Sequence, residues 1–287
     1  MSEIIVVTDS TSNLPPDLVA EQNIPVIPLK VHWGDETYID GVTLKPEQFY
    51  RWLQERDDFP TTSQPSAGEF VKFFNSVAEG RSDSITILGI FISSELSGTL
   101  LSATQARAML PELDIRLVDS RSVSLGLGFQ VLEAHQAVQE GASIEETIAR
   151  VQQVRENTTV IFTVDTLEYL HRGGRIGGAA RLLGSALNLK PLLAIEGGRV
   201  EVLEKIRSRR KALQRMLEVG KEALGVRRPA AAAVLDVDAP EAADQVAAEV
   251  AKRLRPRRLY RAWVTPVVGG HAGPGTVGMA FYTLPES

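Results

Sequence analysis

The amino-acid sequence predicts an α/β protein with two domains, the first on a mostly parallel sheet with crossover helices and the second on a mixed α/β sheet. Short apolar runs such as Ile4–Thr8 and Ser84–Ile92 end in Asp, Ser and Thr clusters, as buried parallel strands do. Segments with helical spacing alternate with these runs, the pattern of βαβ units. A chain of 287 residues also exceeds the usual ~100–200 residues of one domain.

The elements follow in order. Ile4–Thr8 is a β-branched strand that stops at Asp9-Ser10-Thr11-Ser12, and Pro15-Pro16 opens a helix through about Gln22. Val26–Val31 reads as a strand and Pro46–Gln54 as a helix. Ser66-Ala67-Gly68-Glu69 is a capping box ahead of Phe70, Phe73, Phe74 and Val77 at helical spacing. Strand Ser84–Ile92 leads through Ser93-Ser94-Glu95-Leu96-Ser97-Gly98-Thr99 into a helix ending near Met109. Strand Asp114–Val118, helix Leu125–Glu140 and a second capping box at Ser143-Ile144-Glu145-Glu146 complete a domain of residues 1–156.

The domain of residues 157–287 starts with strand Thr159–Val164. Asp165-Thr166-Leu167-Glu168 caps a short helix that stops at Gly173-Gly174, and another helix covers Ala179–Leu189. Leu192–Glu196, Gly197-Gly198 and Arg199–Lys205 form a hairpin, which makes this sheet mixed. Helix Ser208–Ala223, strand Ala231–Val237, helix Pro240–Leu254 and strands Leu259–Val264 and Val277–Thr283 finish the chain.

Composition narrows function. A net charge of −5 lacks the field that drives non-specific nucleic-acid binding. Without Cys, thiolate metal sites and Cys nucleophiles are excluded. His32, His135, His171 and His271 have no metal-ligand spacing, so no metal site is expected, and His135 reads as structural. No apolar stretch approaches a membrane span, and MSEIIVVTDSTS has no signal-peptide character, so a cytoplasmic protein is expected. Neither a P-loop nor a G-x-S-x-G elbow is present.

Hydroxyl and glycine clusters carry the remaining signal. Thr61-Thr62-Ser63-Gln64-Pro65-Ser66 and Ser93-Ser94-Glu95-Leu96-Ser97-Gly98-Thr99 can both lie at the carboxyl edge of a parallel sheet, where ligands bind. Hydroxyls beside helix N-termini suit an oxyanion, although helix capping is their commoner use. His171-Arg172-Gly173-Gly174-Arg175 and Gly269-Gly270-His271-Ala272-Gly273-Pro274-Gly275 read as glycine-lined loops able to approach an anion. The basic run Arg207, Arg209, Arg210 and Lys211 is either a solvated helix start or a docking patch for an acidic protein.

Seven segments, in this order, resemble the DegV family, which includes the fatty-acid-binding subunits of bacterial fatty acid kinase. They are VVTDSTSNLP, TTSQPSAGEF, ISSELSGT, VDSRSVSLGLG, LEYLHRGGRIG, LNLKPLLAIEGGRV and GHAGPG. The resemblance implies a lipid-binding carrier rather than an enzyme, with a long-chain fatty acid as ligand and no cofactor. It assigns the carboxylate to Thr62 and Ser94, with Thr61 and Ser93 as neighbours, and Arg172 and His271 completing the polar end. It further implies presentation to a separate kinase subunit, docked near Arg207, Arg209 and Arg210, that forms an acyl phosphate for phospholipid synthesis. Ala272 departs from the pattern, standing where the family often has Thr. Phe70, Phe73 and Phe74 read as core, with tunnel lining as the alternative. Two other classes stay open: a lipid esterase using Ser94 with His271, and an interaction module without a small ligand.

Overall fold

A computed structural model describes residues 3–81, 85–184 and 189–284. Four parallel strands form the first sheet, in the order Val26–Ile27, Glu3–Asp9, Ile85–Phe91, Asp114–Asp119. Ile85–Phe91 is buried along its whole length, which explains its unbroken apolar run at the sheet centre. The mixed sheet runs Arg199–Glu204, Leu192–Glu196, Thr158–Thr163, Val277–Tyr282, Ala231–Asp236, Arg258–Trp263. Its pairings are antiparallel except that of Ala231–Asp236 with Arg258–Trp263. The two capping boxes form as read, Ser66 with Glu69 and Ser143 with Glu146.

Three local readings need correction. The strand read as Val26–Val31 divides at Pro28, which offers no N–H to a ladder. Val26–Ile27 stays in the parallel sheet, while Lys30–Trp33 pairs between Glu36–Ile39 and Thr61–Ser63 in a small antiparallel sheet. The helix read over Ala179–Leu189 is a short 3₁₀ segment, Gly177–Leu182, and residues 185–188 lie outside the described residues. Gly177 sits at φ +51°, where a Cβ would meet the Val200 carbonyl oxygen at 2.3 Å, so the chain turns tightly there. The glycine-rich segment around His271 is a helix, Pro266–Ala272, rather than a loop.

Helix Leu125–Gln139 ties the two larger sheets together. It packs on Glu3–Asp9 and Ile85–Phe91 on one side and on Thr158–Thr163 and Val277–Tyr282 on the other. That position explains why Leu125, Leu127, Phe129, Val131 and Ala134 are buried on every face of the helix. Leu14, Ile92 and Leu125 join Leu235, Val264 and Ala280 in one apolar cluster spanning both halves of the chain. Burial of each large side chain there is worth ~1.5–3 kcal/mol. Among the described residues no helix is long and apolar enough to cross a membrane.

Candidate functional site

A cavity of about 120 Å³ lies where the loops at the carboxyl ends of the parallel strands face the mixed sheet. Ile92, Leu96 and Val123 come from those loops, and Val160, Phe162, Ile195 and Met279 from the mixed sheet. Leu29, Val264, Val267 and Val268 close the apolar wall. Thr62, Ser63, Gln64, Ser97, Arg175 and His271 add polar groups to the same cavity. An apolar slot with a few convergent polar groups suits an amphipathic small molecule.

The polar groups are organised around His271. Its Nε2 is 2.8 Å from Thr62 Oγ1, and its buried Nδ1 has no hydrogen-bond partner among the described residues. Burial, reinforced by the nearby positive charge of Arg175, lowers the His271 pKa to about 4. The imidazole is therefore neutral at neutral pH, with one nitrogen a donor and the other an acceptor. If Nδ1 carries the proton, that proton faces Gly173 and the Thr62 O–H donates to Nε2. If Nε2 carries it, Thr62 accepts that proton and its own O–H is free to donate. The second tautomer leaves the Thr62 hydroxyl as a donor for an anionic oxygen.

Arg175 is half-buried and spans two loops, its Nε donating to Leu96 O at 3.0 Å and Nη1 to Gly173 O at 2.8 Å. This holds Ser97 at the cavity, where its Oγ lies 2.9 Å from Thr99 Oγ1. Gly173 makes room for the imidazole, since a Cβ there would come within 2.1 Å of His271 Nδ1. The segment leading into the His271 helix is held from the other half of the chain. Asp40 Oδ1 accepts from Val267 N–H at 3.0 Å, Asn13 Nδ2 donates to Thr265 Oγ1 at 2.9 Å, and Tyr50 O–H donates to Val264 O. Burial raises the Asp40 pKa to about 6, against the lowering effect of its hydrogen bonds, so its charge is held at a cost.

The structure brings together Thr62 and His271 from the expected set, and leaves the others outside the cavity wall. Thr61 is exposed on the edge of its strand. Ser93 is fully buried, and its Oγ accepts from Glu95 N–H at 3.2 Å, a turn cap. Ser94 is exposed and donates to Asp119 Oδ2 at 2.5 Å, so it does not pair with His271 as the esterase alternative requires. Arg172 is exposed, pairing with Glu168 at 3.1 Å and covering the Phe59 ring at 4.4 Å. Ser97 and Arg175, in the same two segments, face the cavity instead. Phe70 and Phe74 are fully buried in the core against the parallel sheet and, like Phe73, do not line the cavity. In the basic run, Arg209 is structural, bonded to Asp165 Oδ1 and Gly275 O at 2.6 Å each. Arg207 and Arg210 are exposed, with no acidic partner among the described residues.

Comparison with known proteins agrees with this architecture. The family model described as "Uncharacterised protein, DegV family" matches residues 3–284. A DegV domain-containing protein of Streptomyces coelicolor is 37% identical over 96% of this chain and 97% of its own length. A solved structure from Thermus thermophilus, described as fatty acid binding of a DegV family protein, superposes with a TM-score of 0.92. It is 37% identical and covers 99% of this chain and 100% of its own. DegV of Bacillus subtilis, described as a fatty acid binding protein, has a TM-score of 0.90 at 32% identity, covering 99% of this chain and all of its own. With the match running over nearly its whole length, this chain belongs to the DegV family.

Proposed function

We propose that this protein is a carrier that holds one long-chain fatty acid, with the alkyl tail in the apolar cavity and the carboxylate at Thr62, His271, Ser97 and Arg175. The observation that carries the reading is the Thr62–His271 hydrogen bond set at a cavity whose wall is otherwise mainly aliphatic. The names of the similar Thermus and Bacillus structures support the same ligand class. Each buried methylene contributes ~0.8 kcal/mol, so a sixteen-carbon tail offers on the order of 10 kcal/mol before ordering costs. A buried carboxylate needs several donors, since leaving it unpaired costs several kcal/mol. The free donor of the Thr62–His271 pair and the charge of Arg175 answer that need.

In this reading the chain performs no covalent step itself. A separate kinase uses the presented carboxylate oxygen to attack the γ-phosphorus of ATP, releasing ADP and leaving an acyl phosphate, which can enter phospholipid synthesis. Arg207 and Arg210, exposed and without an acidic partner among the described residues, are the proposed docking cations for that partner. Arg209 links the same helix start to Gly275, next to cavity-lining Thr276, so docking there sits one contact from the site.

Organic extraction of the denatured protein followed by mass spectrometry tests the carrier reading. The expected result is a long-chain fatty acid at about one molecule per chain. Protein that releases none and also fails to take up palmitate or oleate overturns it.

A further inference from the structure

Resting on the carrier reading, we propose that Ser124 is a second polar contact within the cavity, which selects acyl chains bearing an oxygen substituent along the tail. Ser124 lines the cavity with 9% of its surface exposed, and its buried Oγ has no hydrogen-bond partner among the described residues. The other hydroxyl-bearing residues of the wall are all engaged: Thr62 with His271, Ser63 with His32, Ser97 with Thr99, and Thr276 with the Ala272 carbonyl. A buried hydroxyl left unpaired is costly, and such groups are rare in folded proteins.

The backbone holds Ser124 in a conformation that costs energy, φ 57° and ψ −148°, outside the regions serine ordinarily adopts. Its surroundings over-determine that conformation. Ser124 N–H donates to Thr11 O at 2.8 Å, and Ser124 O accepts from the Leu127 and Gly128 amides. Gln130 Nε2 donates to Ser120 O and Gly126 O at 3.0 Å each, closing the loop onto the helix. Ser122 O accepts from Ser93 N–H at 2.9 Å.

Ser124 also precedes the fifteen-residue helix Leu125–Gln139, so its hydroxyl sits at the positive end of that helix. The Leu125 and Gly126 amides have no acceptor among the described residues. An unpaired hydroxyl in an aliphatic wall favours a partner oxygen, and a hydroxy or keto group on the chain supplies one. A plain methylene chain leaves the Ser124 hydroxyl unpaired.

The test is equilibrium binding of stearate and of hydroxystearates substituted at carbon ten or carbon twelve, to the wild-type protein and to Ser124→Ala and Ser124→Gly. The glycine variant removes the hydroxyl and relieves the backbone strain, so the two variants separate the side chain from the fold. Wild type is expected to bind at least one hydroxystearate about tenfold more tightly than stearate, the worth of one well-made hydrogen bond. Both variants are expected to lose that preference, stearate binding rising several-fold and hydroxystearate binding falling. Equal ratios of the two dissociation constants in wild type and both variants overturn the inference while leaving the carrier reading intact. Wild-type protein that binds none of these acids overturns both.

Discussion

Thr62 and His271, 209 residues apart in sequence, meet in a 2.8 Å hydrogen bond at the cavity. Neither residue's local sequence dictates the encounter. Thr62 is placed by pairing with Val31 in the small antiparallel sheet, and His271 by a helix whose entry is held by Asp40, Asn13 and Tyr50. The polar seat thus depends on packing between the two halves of the chain.

Replacing Thr62 by Val keeps the shape and removes the hydroxyl. Palmitate affinity is expected to fall by about tenfold to a hundredfold, the range for one hydrogen bond to a charged group. Titration with a fluorescent fatty acid and displacement by palmitate measures it. The same experiment on Ser94→Ala is expected to leave affinity unchanged, because that hydroxyl is spent on Asp119.

Gly173→Ala tests how the imidazole is seated. Gly173 has an ordinary helical φ of −76°, so alanine brings no backbone strain, but its Cβ would lie 2.1 Å from His271 Nδ1. The ring must move, and palmitate binding is expected to weaken several-fold with a stability loss of ~1–3 kcal/mol from overpacking. Binding titration beside thermal unfolding separates the two effects.

Asp40→Asn gives a pH signature. Folding raises the Asp40 pKa from 3.8 to about 6, so the native state binds the proton more tightly than the unfolded chain does. Stability from this group is full below 3.8 and is lost as pH rises through about 6. Asparagine keeps an acceptor for Val267 N–H without the charge, so the variant is expected to be more stable than wild type above pH 6, by up to about 3 kcal/mol. The gain is expected to vanish below pH 4. His271 acts in the opposite sense, since its pKa falls from 6.5 to about 4 and the unfolded chain takes the proton first. Its contribution is present above pH 6.5 and is lost as pH falls toward 4. Urea unfolding of wild type and variant across this range checks both signs.

Phe70→Ala distinguishes core from tunnel. Phe70 is fully buried, packed edge-on against Phe91 with ring centroids 5.2 Å apart, and does not line the cavity. A loss of ~3–5 kcal/mol of stability is expected, with palmitate affinity unchanged below the melting transition.

Much of the fold was legible because its signals are local. The capping boxes at Ser66 and Ser143 need only a Glu three residues on, and the strand Ile85–Phe91 announces itself as an unbroken apolar run. The helix Pro266–Ala272 was not legible, because Gly269 and Gly270 lower its intrinsic propensity and its N-terminal amide partner, Asp40, lies 227 residues away. Gly269 is needed there because a Cβ would meet the Tyr50 hydroxyl at 2.5 Å, a contact no single segment reveals. The site shows the same division. Thr62 and His271 were identified by residue, but in the segments holding Ser97 and Arg175 the residue facing the cavity was not. Ser94 and Ser97, or Arg172 and Arg175, are chemically equal in sequence. Loop backbone has no fixed periodicity to say which one points inward.

Palmitate carrying carbon-13 at its carboxyl, bound to the protein and observed by NMR, reports the polar seat directly. The expected result is one carboxylate resonance distinct from free palmitate, moving in Thr62→Val and in His271→Gln. A bound resonance with the same position in wild type and both variants would contradict the placement of the carboxylate at Thr62 and His271.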